Sequence, residues 1–206
     1  ALLQVTQAIG SQIGQFIQRK EAEDKVAFLA QFDIITDLPN RFLFTDRLDQ
    51  MLAQSERNSW SVGVLFVDLD HFKAVNDTLG HPVGDLLLKQ VGKRLLSCVR
   101  HGDIVARLGG DEFAIVQTRV RDPNQTESLA ARIVETVSAP YEIDGNRIDI
   151  GTSIGVTLAP RDGTDADKLL KNADLALYRT KDAGRRGFSF FKPEMQEEIE
   201  ARRNLE

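Results

Sequence analysis

Between Arg107 and Val116 the chain reads Arg-Leu-Gly-Gly-Asp-Glu-Phe-Ala-Ile-Val, which predicts a β-hairpin with apolar arms. The Gly109-Gly110 pair suits a two-residue turn, because glycine readily adopts the positive φ values that such turns need. Asp111 and Glu112 should then lie at the tip, held by rigid strand ends. Taken alone, an acidic hairpin tip is more typical of a solvated turn than of a site. Its meaning therefore depends on the rest of the sequence.

A second segment, upstream of the hairpin, also ends in carboxylates. Residues Val62 to Val67 form an almost continuous apolar run, which is typical of a short strand buried on both faces. The run leads into Asp68-Leu69-Asp70, and because side chains alternate along a strand, Asp68 and Asp70 should face the same side. Carboxylates held on strand ends provide the hard oxygen ligands that a magnesium–nucleotide site needs. The strand and the hairpin together predict such a site.

Both segments belong to an ordered series of motifs that resembles the GGDEF family of diguanylate cyclases. The resemblance covers roughly residues 33 to 191, and several ordered motifs are far more specific than one short pattern. The segment Asp33 to Arg41 resembles the opening motif of the family, although Ile35 and Asp37 replace its Leu and Gly. The other matching positions are Asp68-Leu-Asp-His-Phe-Lys73, Asn76-Asp77, Gly80-His81, Gly84-Asp85, Arg107 to Phe113, Thr152 to Val156, Ala173 to Tyr178, Lys181, Gly184 and Arg185, with Arg186 where the family has Asn.

The resemblance implies an α+β fold in which helices flank a palm-like, ferredoxin-related central sheet that is mostly antiparallel. The residue pattern agrees with this class, since helical and strand periodicities alternate along the chain. A second hairpin is expected at the Asp144-Gly145-Asn146 turn. The predicted helices run from a cap at Asn40 to about Gln54, through Leu87, Val91 and Leu95, from about Gln125 to Ser138, and from about Asp165 to Ala183.

The sequence predicts three parts: an N-terminal signalling helix over residues 1–32, a GGDEF domain over 33–192 and a linker helix over 193–206. Apolar residues recur at helical spacing from Leu2 to Phe16. Two interpretations stay open: a helix that packs on its own domain, or one that pairs with its copy. Residues 9–23 resemble the final helix of a GAF sensor domain, and residues 202–206 resemble the connector to an EAL phosphodiesterase domain. The chain begins without Met, which suggests a piece of a longer protein.

The composition predicts a cytoplasmic module with one hydrophobic core. Hydrophobic residues make up 42% of the chain, and no apolar stretch approaches membrane-spanning length. The formal net charge of -5 gives no basic footprint for nucleic acid, so we expect no nucleic-acid partner. Cys98 is the single cysteine, which excludes a disulfide framework and predicts a buried thiol on a helix.

The resemblance further implies that the chain condenses two GTP molecules into cyclic di-GMP and releases two pyrophosphates. Asp68 and Asp111 would hold Mg2+ or Mn2+, with the Leu69 carbonyl as a further oxygen ligand. Such ions lower the pKa of the attacking 3′-hydroxyl and stabilise the charge that develops at phosphorus. Glu112 would either join the metal cluster or take part in proton removal, and the sequence does not separate these two roles.

The resemblance assigns guanine recognition to Asp85 and Asn76. A carboxylate can accept hydrogen bonds from the N–H groups of guanine, and an amide can donate to its acceptor edge. In an unrelated protein, the ordinary interpretations would be a helix cap for Asp85 and a loop turn for Asn76. Their positions in the ordered series favour the nucleotide-binding role.

Phosphate contacts are expected from two other places in the chain. Phe72 and Lys73 would meet the phosphates at a turn. Lys181 and Arg185 lie four residues apart, so they share a helix face if the helix extends that far. Cations in a last helical turn also complement the helix dipole without any ligand, and it is the resemblance that favours phosphate contact.

Catalysis by this family requires two chains, because one GTP pocket cannot form the product. The active state should therefore be a homodimer in which two half-sites face each other. Arg100 and Asp103 match the Arg-x-x-Asp inhibitory site of the family, which implies feedback by bound cyclic di-GMP, with Arg132 as a further candidate contact. Three functions stay open: an active cyclase, a catalytically silent GTP-binding regulator of an attached phosphodiesterase, and a cyclic di-GMP receptor.

Overall fold

A computed structural model of the chain describes residues 15–20, 23 and 25–196. Its strands are β1 (Ser61–Asp70), β2 (Ile104–Gly109), β3 (Glu112–Val120), β4 (Tyr141–Ile143), β5 (Asn146–Ile148), β6 (Gly151–Ala159) and β7 (Phe188–Phe190). Five of them form one sheet in the order β2-β3-β1-β6-β7, and β4 pairs separately with β5. Neighbouring strands of the large sheet are antiparallel except β6 and β7, which are parallel.

The helices begin where the sequence places capping residues. The Asn40 side chain accepts a hydrogen bond from the Leu43 N–H at 3.1 Å, and the Asp165 side chain accepts one from the Lys168 N–H at 2.8 Å, each satisfying a free donor of the first turn. Residues 15–20 and 25–29 are also helical. The domain helices are α1 (Arg41–Asn58), α2 (Phe72–Leu79), α3 (His81–Cys98), α4 (Pro123–Ser138) and α5 (Ala166–Asp182).

Strand β1 is the central strand, flanked by β3 and β6. Its side chains alternate between two hydrophobic layers, since Phe66 packs with residues of α1 and α5, whereas Val67 packs with residues of α3 and α4. Because each face of β1 is covered by one of these layers, neither face meets solvent, which explains the nearly continuous apolar sequence of the strand. At the end of β1, Asp68 pairs with Glu112 on β3 and with Ser153 on β6.

Helix α5 packs directly on the backbone of β6 at Gly155. A Cβ atom at this position would lie 1.9 Å from the Ala173 carbonyl oxygen and 2.4 Å from the Leu177 nitrogen. Both atoms belong to the backbone of α5, so no change of side-chain rotamer can relieve the overlap. Glycine is therefore required for the observed spacing between helix and sheet.

The β2–β3 hairpin differs from the prediction by one residue. Gly109 pairs with Glu112, so Gly110 and Asp111 form the loop instead of the Gly-Gly pair. Gly109 has φ 145° and Gly110 has φ 50°, and a register shift between Arg107 and Gly109 accommodates the extra residue. Asp111 therefore lies in the turn, while Glu112 is the first residue of β3.

The predicted helices are present, with differences at their ends and one addition. Helix α1 extends beyond Gln54 to Asn58, and α5 ends at Asp182. The predicted turn at Phe72 and Lys73 is wrong, because these residues open α2. The Asp144-Gly145 hairpin is confirmed by the pairing of Ile143 with Asn146, but β6 joins the large sheet rather than this hairpin.

The α+β fold with a mostly antiparallel sheet is confirmed. Cys98 is 3% exposed at the end of α3, as expected for a structural thiol. Among the described ranges, no helix has the length and apolar character needed to cross a bilayer. The predicted N-terminal stripe is described only from residue 15 onward, so Leu2, Val5, Ile9 and Ile13 lie outside the described residues, as does 197–206 at the other end.

Candidate functional site

The predicted carboxylates come together where β1 ends beside the start of β3. Asp68 and Glu112 are register partners on these adjacent strands. The Leu69 N–H donates to the Asp111 carbonyl at 3.3 Å, which holds the hairpin turn against β1. Lys181, from α5, places its Nζ 2.7 Å from Asp68 Oδ1. Five of the predicted site residues, counting Leu69, therefore meet at one place.

The environment of Asp68 and of Glu112 disfavours ionisation of these two carboxyl groups. Burial raises the pKa of Asp68, Lys181 opposes the shift only in part, and the negative charges of Asp111 and Asp70 raise it further. Burial also raises the pKa of Glu112, where a nearby arginine opposes the negative charge of its acidic neighbours. Burial is thus the main cause of both raised pKa values, and the nearby carboxylates add to it.

Arg41 is the arginine beside Glu112, and it was not among the predicted site residues. Its Nη2 lies 3.5 Å from Glu112 Oε2, with both side chains partly exposed. Arg41 occupies the first position of α1, directly after the Asn40 cap. Its place at the end of the opening motif was the only signal of a role near the hairpin.

Asp70 faces the same side as Asp68, as predicted, but its carboxylate is used structurally. Its Oδ1 accepts a hydrogen bond from the Ser153 hydroxyl at 2.7 Å, and its Oδ2 accepts one from the Arg186 N–H at 3.1 Å. The second bond ties the loop after α5 to the end of β1. Because the contact uses the backbone of Arg186, the replacement of the family's Asn at this position leaves it intact.

Arg107 joins the hairpin turn to the opening motif. Its guanidinium donates to both Asp33 oxygens at 2.9 Å and to the Gly110 carbonyl at 3.0 and 2.7 Å. Thr36 adds two further hydrogen bonds to Asp33, from its N–H and its hydroxyl. Burial opposes ionisation of Asp33, but the hydrogen bonds from Thr36 and Arg107 outweigh it and lower the pKa. Arg107 and Asp33 thus hold the turn that carries Asp111 through the Gly110 carbonyl.

The predicted guanine-binding residues lie on neighbouring helices. Asn76 is on α2 and Asp85 is on α3, and Asp85 is exposed. The Oδ1 atom of Asn76 is buried and lacks a hydrogen-bond partner in the described structure. A Cβ at position 84 would lie 1.9 Å from that oxygen, so Gly84 leaves room for the Asn76 side chain beside α3. An unsatisfied buried acceptor is unusual in a folded protein.

The predicted phosphate contacts lie at two helix ends. Phe72 and Lys73 form the first turn of α2, whose N-terminal N–H groups have no side-chain cap, an arrangement that suits an anion. Lys181 lies in the last turn of α5 and contacts Asp68. The helix ends before Arg185, which has φ 64° and is exposed. Lys181 and Arg185 therefore do not share a helix face, and the spacing argument is wrong for this pair.

The donor atoms at the acidic site fit a divalent cation. Three carboxylates, Asp68, Asp111 and Glu112, interact electrostatically there, and Lys181 and Arg41 are the cations that lower the pKa values of Asp68 and Glu112. Hard oxygen donors with excess negative charge are what Mg2+ and Mn2+ prefer. Within the described part of the chain, no group of three or more His, Cys, Asp or Glu side chains already has the spacing of metal ligands. Metal binding would therefore require these side chains to reorient.

The predicted inhibitory pair lies away from the carboxylates, before β2. Asp103 Oδ1 accepts a hydrogen bond from the Thr118 N–H at 2.9 Å, and its Oδ2 accepts one from the Arg100 N–H at 3.2 Å. The Arg100 guanidinium donates to the Thr118 carbonyl. Arg132, the further candidate, donates to the Cys98 carbonyl at 2.6 Å. The motif is therefore anchored to the end of the β2–β3 hairpin opposite its acidic turn.

Known proteins share both the sequence pattern and the fold. Residues 30–187 match the family described as "Diguanylate cyclase, GGDEF domain". The bifunctional diguanylate cyclase/cyclic di-GMP phosphodiesterase MucR of Pseudomonas aeruginosa is 47% identical over 167 residues, which cover 81% of this chain and 24% of MucR. The chain spans about a quarter of the length of MucR and of other curated relatives that it matches.

Two solved structures support the same assignment. The GGDEF domain of TpbB (YfiN) from Pseudomonas aeruginosa has a TM-score of 0.80 and 33% identity, covering 82% of this chain and 99% of that one. The coiled coil and GGDEF domain of DgcB from Caulobacter crescentus, in complex with c-di-GMP, has a TM-score of 0.74 and 26% identity, covering 90% of this chain and 98% of that one. With its fold, its acidic site and these similarities, the chain belongs to the GGDEF family of diguanylate cyclase domains.

Proposed function

We propose that this domain is a diguanylate cyclase that condenses two GTP molecules into cyclic di-GMP and two pyrophosphates. One observation carries the proposal: Asp68 and Glu112 are register partners, with Asp111 beside them and Lys181 bonded to Asp68. Phosphoryl transfer depends mainly on positioning and charge neutralisation, and this arrangement supplies fixed groups for both.

The reaction joins the 3′-hydroxyl of one GTP to the α-phosphorus of the other, and pyrophosphate leaves. Asp85 would accept hydrogen bonds from the N–H groups of guanine, and the Asn76 amide would donate to its acceptor edge. The first turn of α2 and Lys181 would contact phosphate oxygens. Bound Mg2+ or Mn2+, held by Asp68, Asp111 and the Leu69 carbonyl, would neutralise phosphate charge and lower the pKa of the hydroxyl.

Proton removal from the attacking hydroxyl belongs to the same carboxylates. A raised pKa brings a carboxyl group closer to the pH at which it exchanges a proton efficiently, and both Asp68 and Glu112 have raised pKa values. Because these groups interact, they titrate as a set and the proton is not assigned to either one. Arg41 limits the shift of Glu112 and so favours its ionised form.

Each chain provides one GTP site, so we propose that turnover takes place in a homodimer of facing half-sites. Arg100 and Asp103 would provide feedback by the product at a separate site. MucR couples a cyclase to a phosphodiesterase in a much longer chain. We accordingly propose that this domain works beside sensor or EAL domains of the same protein.

The test is turnover of GTP with Mg2+ by the purified chain, with cyclic di-GMP identified by mass spectrometry. We expect Asp68→Asn to reduce the rate by about 100-fold or more, because it removes an anionic oxygen ligand while keeping the shape of the side chain. The exposed residue Asp49 on α1 provides the matched control, and Asp49→Asn should retain the parent rate. An Asp68→Asn protein that is folded by circular dichroism and as active as the parent would contradict the assignment.

The alternative functions are distinguished by binding. A catalytically silent regulator of an attached phosphodiesterase is favoured by the bifunctional nature of MucR, and it would bind GTP without forming product. A cyclic di-GMP receptor would bind that dinucleotide but form no product from GTP. Calorimetry with GTP and with cyclic di-GMP, alongside the turnover assay, separates all three functions.

A further inference from the structure

A basic cleft lies beside Arg100, far from the carboxylate site. Its volume is about 570 Å³, and it adjoins a second lobe of about 430 Å³ that shares Gln54, Trp60, Arg119 and Arg121 with it. The charged residues that line the first lobe are all basic, namely Arg100, His101, Arg119 and Arg121. In a chain with a net charge of -5, such a local excess of positive charge indicates an anionic ligand.

Asp103 lies beside Arg100, and its own carboxylate is almost inaccessible to a ligand. Its side chain is only 2% exposed, and its two oxygens accept the N–H groups of Thr118 and Arg100. The Arg100 side chain lies 3.6 Å from Asp103 and remains 51% exposed. Further ligand contacts must therefore come from outside the Arg-x-x-Asp motif.

Arg119 and Arg121 are directed outward by an irregular strand end. The pairing of β1 with β3 shifts register between Ser61 and Gly63, and Arg119 adopts φ 53°, a left-handed conformation that is unfavourable for a residue with a side chain. Both arginines are exposed, and the described residues offer neither guanidinium a hydrogen bond or ion pair. They are thus available to phosphate oxygens, which guanidinium groups bind in a bidentate manner.

Trp60 supplies an aromatic surface between these arginines and α1. It is the single tryptophan of the chain, is partly exposed, and lines both lobes of the cleft. Stacking on an indole ring is a common way to hold a nucleobase. The cleft thus combines groups for phosphate and for a base, which are the two parts of a nucleotide.

We propose that this cleft binds cyclic di-GMP through Arg119, Arg121 and Trp60 in addition to Arg100. The guanidinium groups would contact the two phosphodiester anions, and the Trp60 indole would stack on a guanine. The proposal rests on the proposed function, which supplies this ligand. It extends the feedback site to three residues that the Arg-x-x-Asp motif does not contain.

The fluorescence of Trp60 reports the binding directly, because no other tryptophan contributes. Trp60 precedes β1 and Asp68 lies near its far end, about 26 Å away at 3.3 Å per residue, so GTP at the carboxylate site should not change this signal. We expect cyclic di-GMP to quench the fluorescence, and metal-free GTP to leave it unchanged at the same concentration. Quenching by GTP but not by cyclic di-GMP would overturn the proposal.

Variants then test the arginines. We expect Arg119→Gln and Arg121→Gln each to raise the Kd for cyclic di-GMP about tenfold, because each removes a charge-assisted hydrogen bond, and Arg100→Ala to do so at least as strongly. The control is Arg147→Gln, which removes the same charge from an exposed arginine on β5 and should leave the Kd unchanged. Circular dichroism verifies that each variant is folded.

The outcomes distinguish this proposal from the proposed function. If Arg100→Ala weakens binding but Arg119→Gln and Arg121→Gln do not, feedback stands and the extended cleft is wrong. If the chain forms no product from GTP yet binds cyclic di-GMP with the expected losses in the arginine variants, the cleft is supported and the cyclase activity is wrong.

Discussion

The Asp33 carboxylate is held by several donors at once, and this makes its contribution to stability depend on pH. Its hydrogen bonds from Thr36 and Arg107 outweigh the effect of burial and lower its pKa below the ordinary 3.8. A group whose pKa is lower in the folded state stabilises the fold above its unfolded pKa, and this contribution is lost as the pH falls through the folded value. The ionised Asp33 and its hydrogen bonds from Arg107 and Thr36 therefore contribute their full stabilisation at neutral pH.

We expect Asp33→Asn to lower the free energy of unfolding by about 1.5–3 kcal/mol at pH 7, the range for a hydrogen bond to a charged group. The deficit should shrink below about pH 4, where the Asp33 carboxylate of the unfolded parent begins to bind a proton while that of the folded parent stays charged. Urea unfolding of both proteins from pH 7 to pH 3 measures this. The control is Asp149→Asn in the exposed pair with Arg147, which should cost less than about 1 kcal/mol. A deficit that is the same at every pH would contradict the ionic explanation.

At the residue scale, the sequence predicted the positions of the acidic groups better than their contacts. Asp68 and Glu112 follow from strand alternation and a hairpin turn, which are local rules. The use of Asp70 as an anchor for Arg186 was not predictable, because it depends on a contact between residues 116 positions apart. Asp37 is explained in retrospect: it has φ 57°, the conformation for which the glycine of the family's motif is suited.

Arg94 connects α3 to the end of α4. Its guanidinium donates to the carbonyls of Thr136 at 3.1 Å and Pro140 at 2.7 Å, with further bonds to Val137 and Ala139. It also lies 3.5 Å from the centre of the Tyr141 ring, and burial raises the pKa of that tyrosine to about 12. The carbonyls at a helix C-terminus have no partners within the helix, so Arg94 satisfies groups that would otherwise be left without donors.

We expect Arg94→Lys to lower the free energy of unfolding by about 1–2 kcal/mol, although it keeps the charge, because lysine lacks the planar fork that reaches several carbonyls. Chemical denaturation followed by circular dichroism measures the change. The control is Arg57→Lys on the exposed face of α1, which should change stability by less than about 0.5 kcal/mol. Equal effects of the two substitutions would show that the contacts of Arg94 add no stability.

At the element scale, the long helices were predictable and the short one was not. The longer helices repeat their apolar pattern over several turns, whereas α2 has only 8 residues and its sequence also fits a turn. The hairpin was placed correctly, but its loop was displaced by one residue because of the register shift after Arg107. Arg107 also contacts Asp33, 74 positions away, and a contact of that kind does not follow from the local sequence.

For the whole molecule, the open question is what covers the helix before the domain. Phe16 is 66% exposed and Ile17 is 49% exposed, which is a high exposure for large apolar side chains on a helix. Of the two interpretations of this helix, exposure of these side chains favours pairing with a second copy over packing on its own domain. Under the proposed function two GTP half-sites face each other, so such pairing would also affect turnover.

We expect Phe16→Glu to weaken dimerisation about tenfold, since a charge would replace an aromatic side chain that pairing with a second copy would bury. Specific activity below the new dimer Kd should fall with the dimer fraction, while the Kd for GTP should stay the same. Light scattering and calorimetry measure these quantities. The control is Gln18→Glu, which adds the same charge to an already polar and exposed position. Unchanged dimerisation and activity in Phe16→Glu would indicate that this side chain takes no part in pairing.

The close contact at Gly155 limits how far helix α5 can move relative to the acidic site. Gly155 lies two residues along β6 from Ser153, the register partner of Asp68, and α5, which it supports, carries Lys181 to within 2.7 Å of Asp68. Adding one carbon atom there would require helix and sheet to separate by at least about 1 Å, and a displacement of that size at a reacting centre costs about 10²-fold in rate. The distance between the Lys181 and Asp68 charges thus depends on the absence of a side chain at Gly155, a residue that is not itself part of the acidic site.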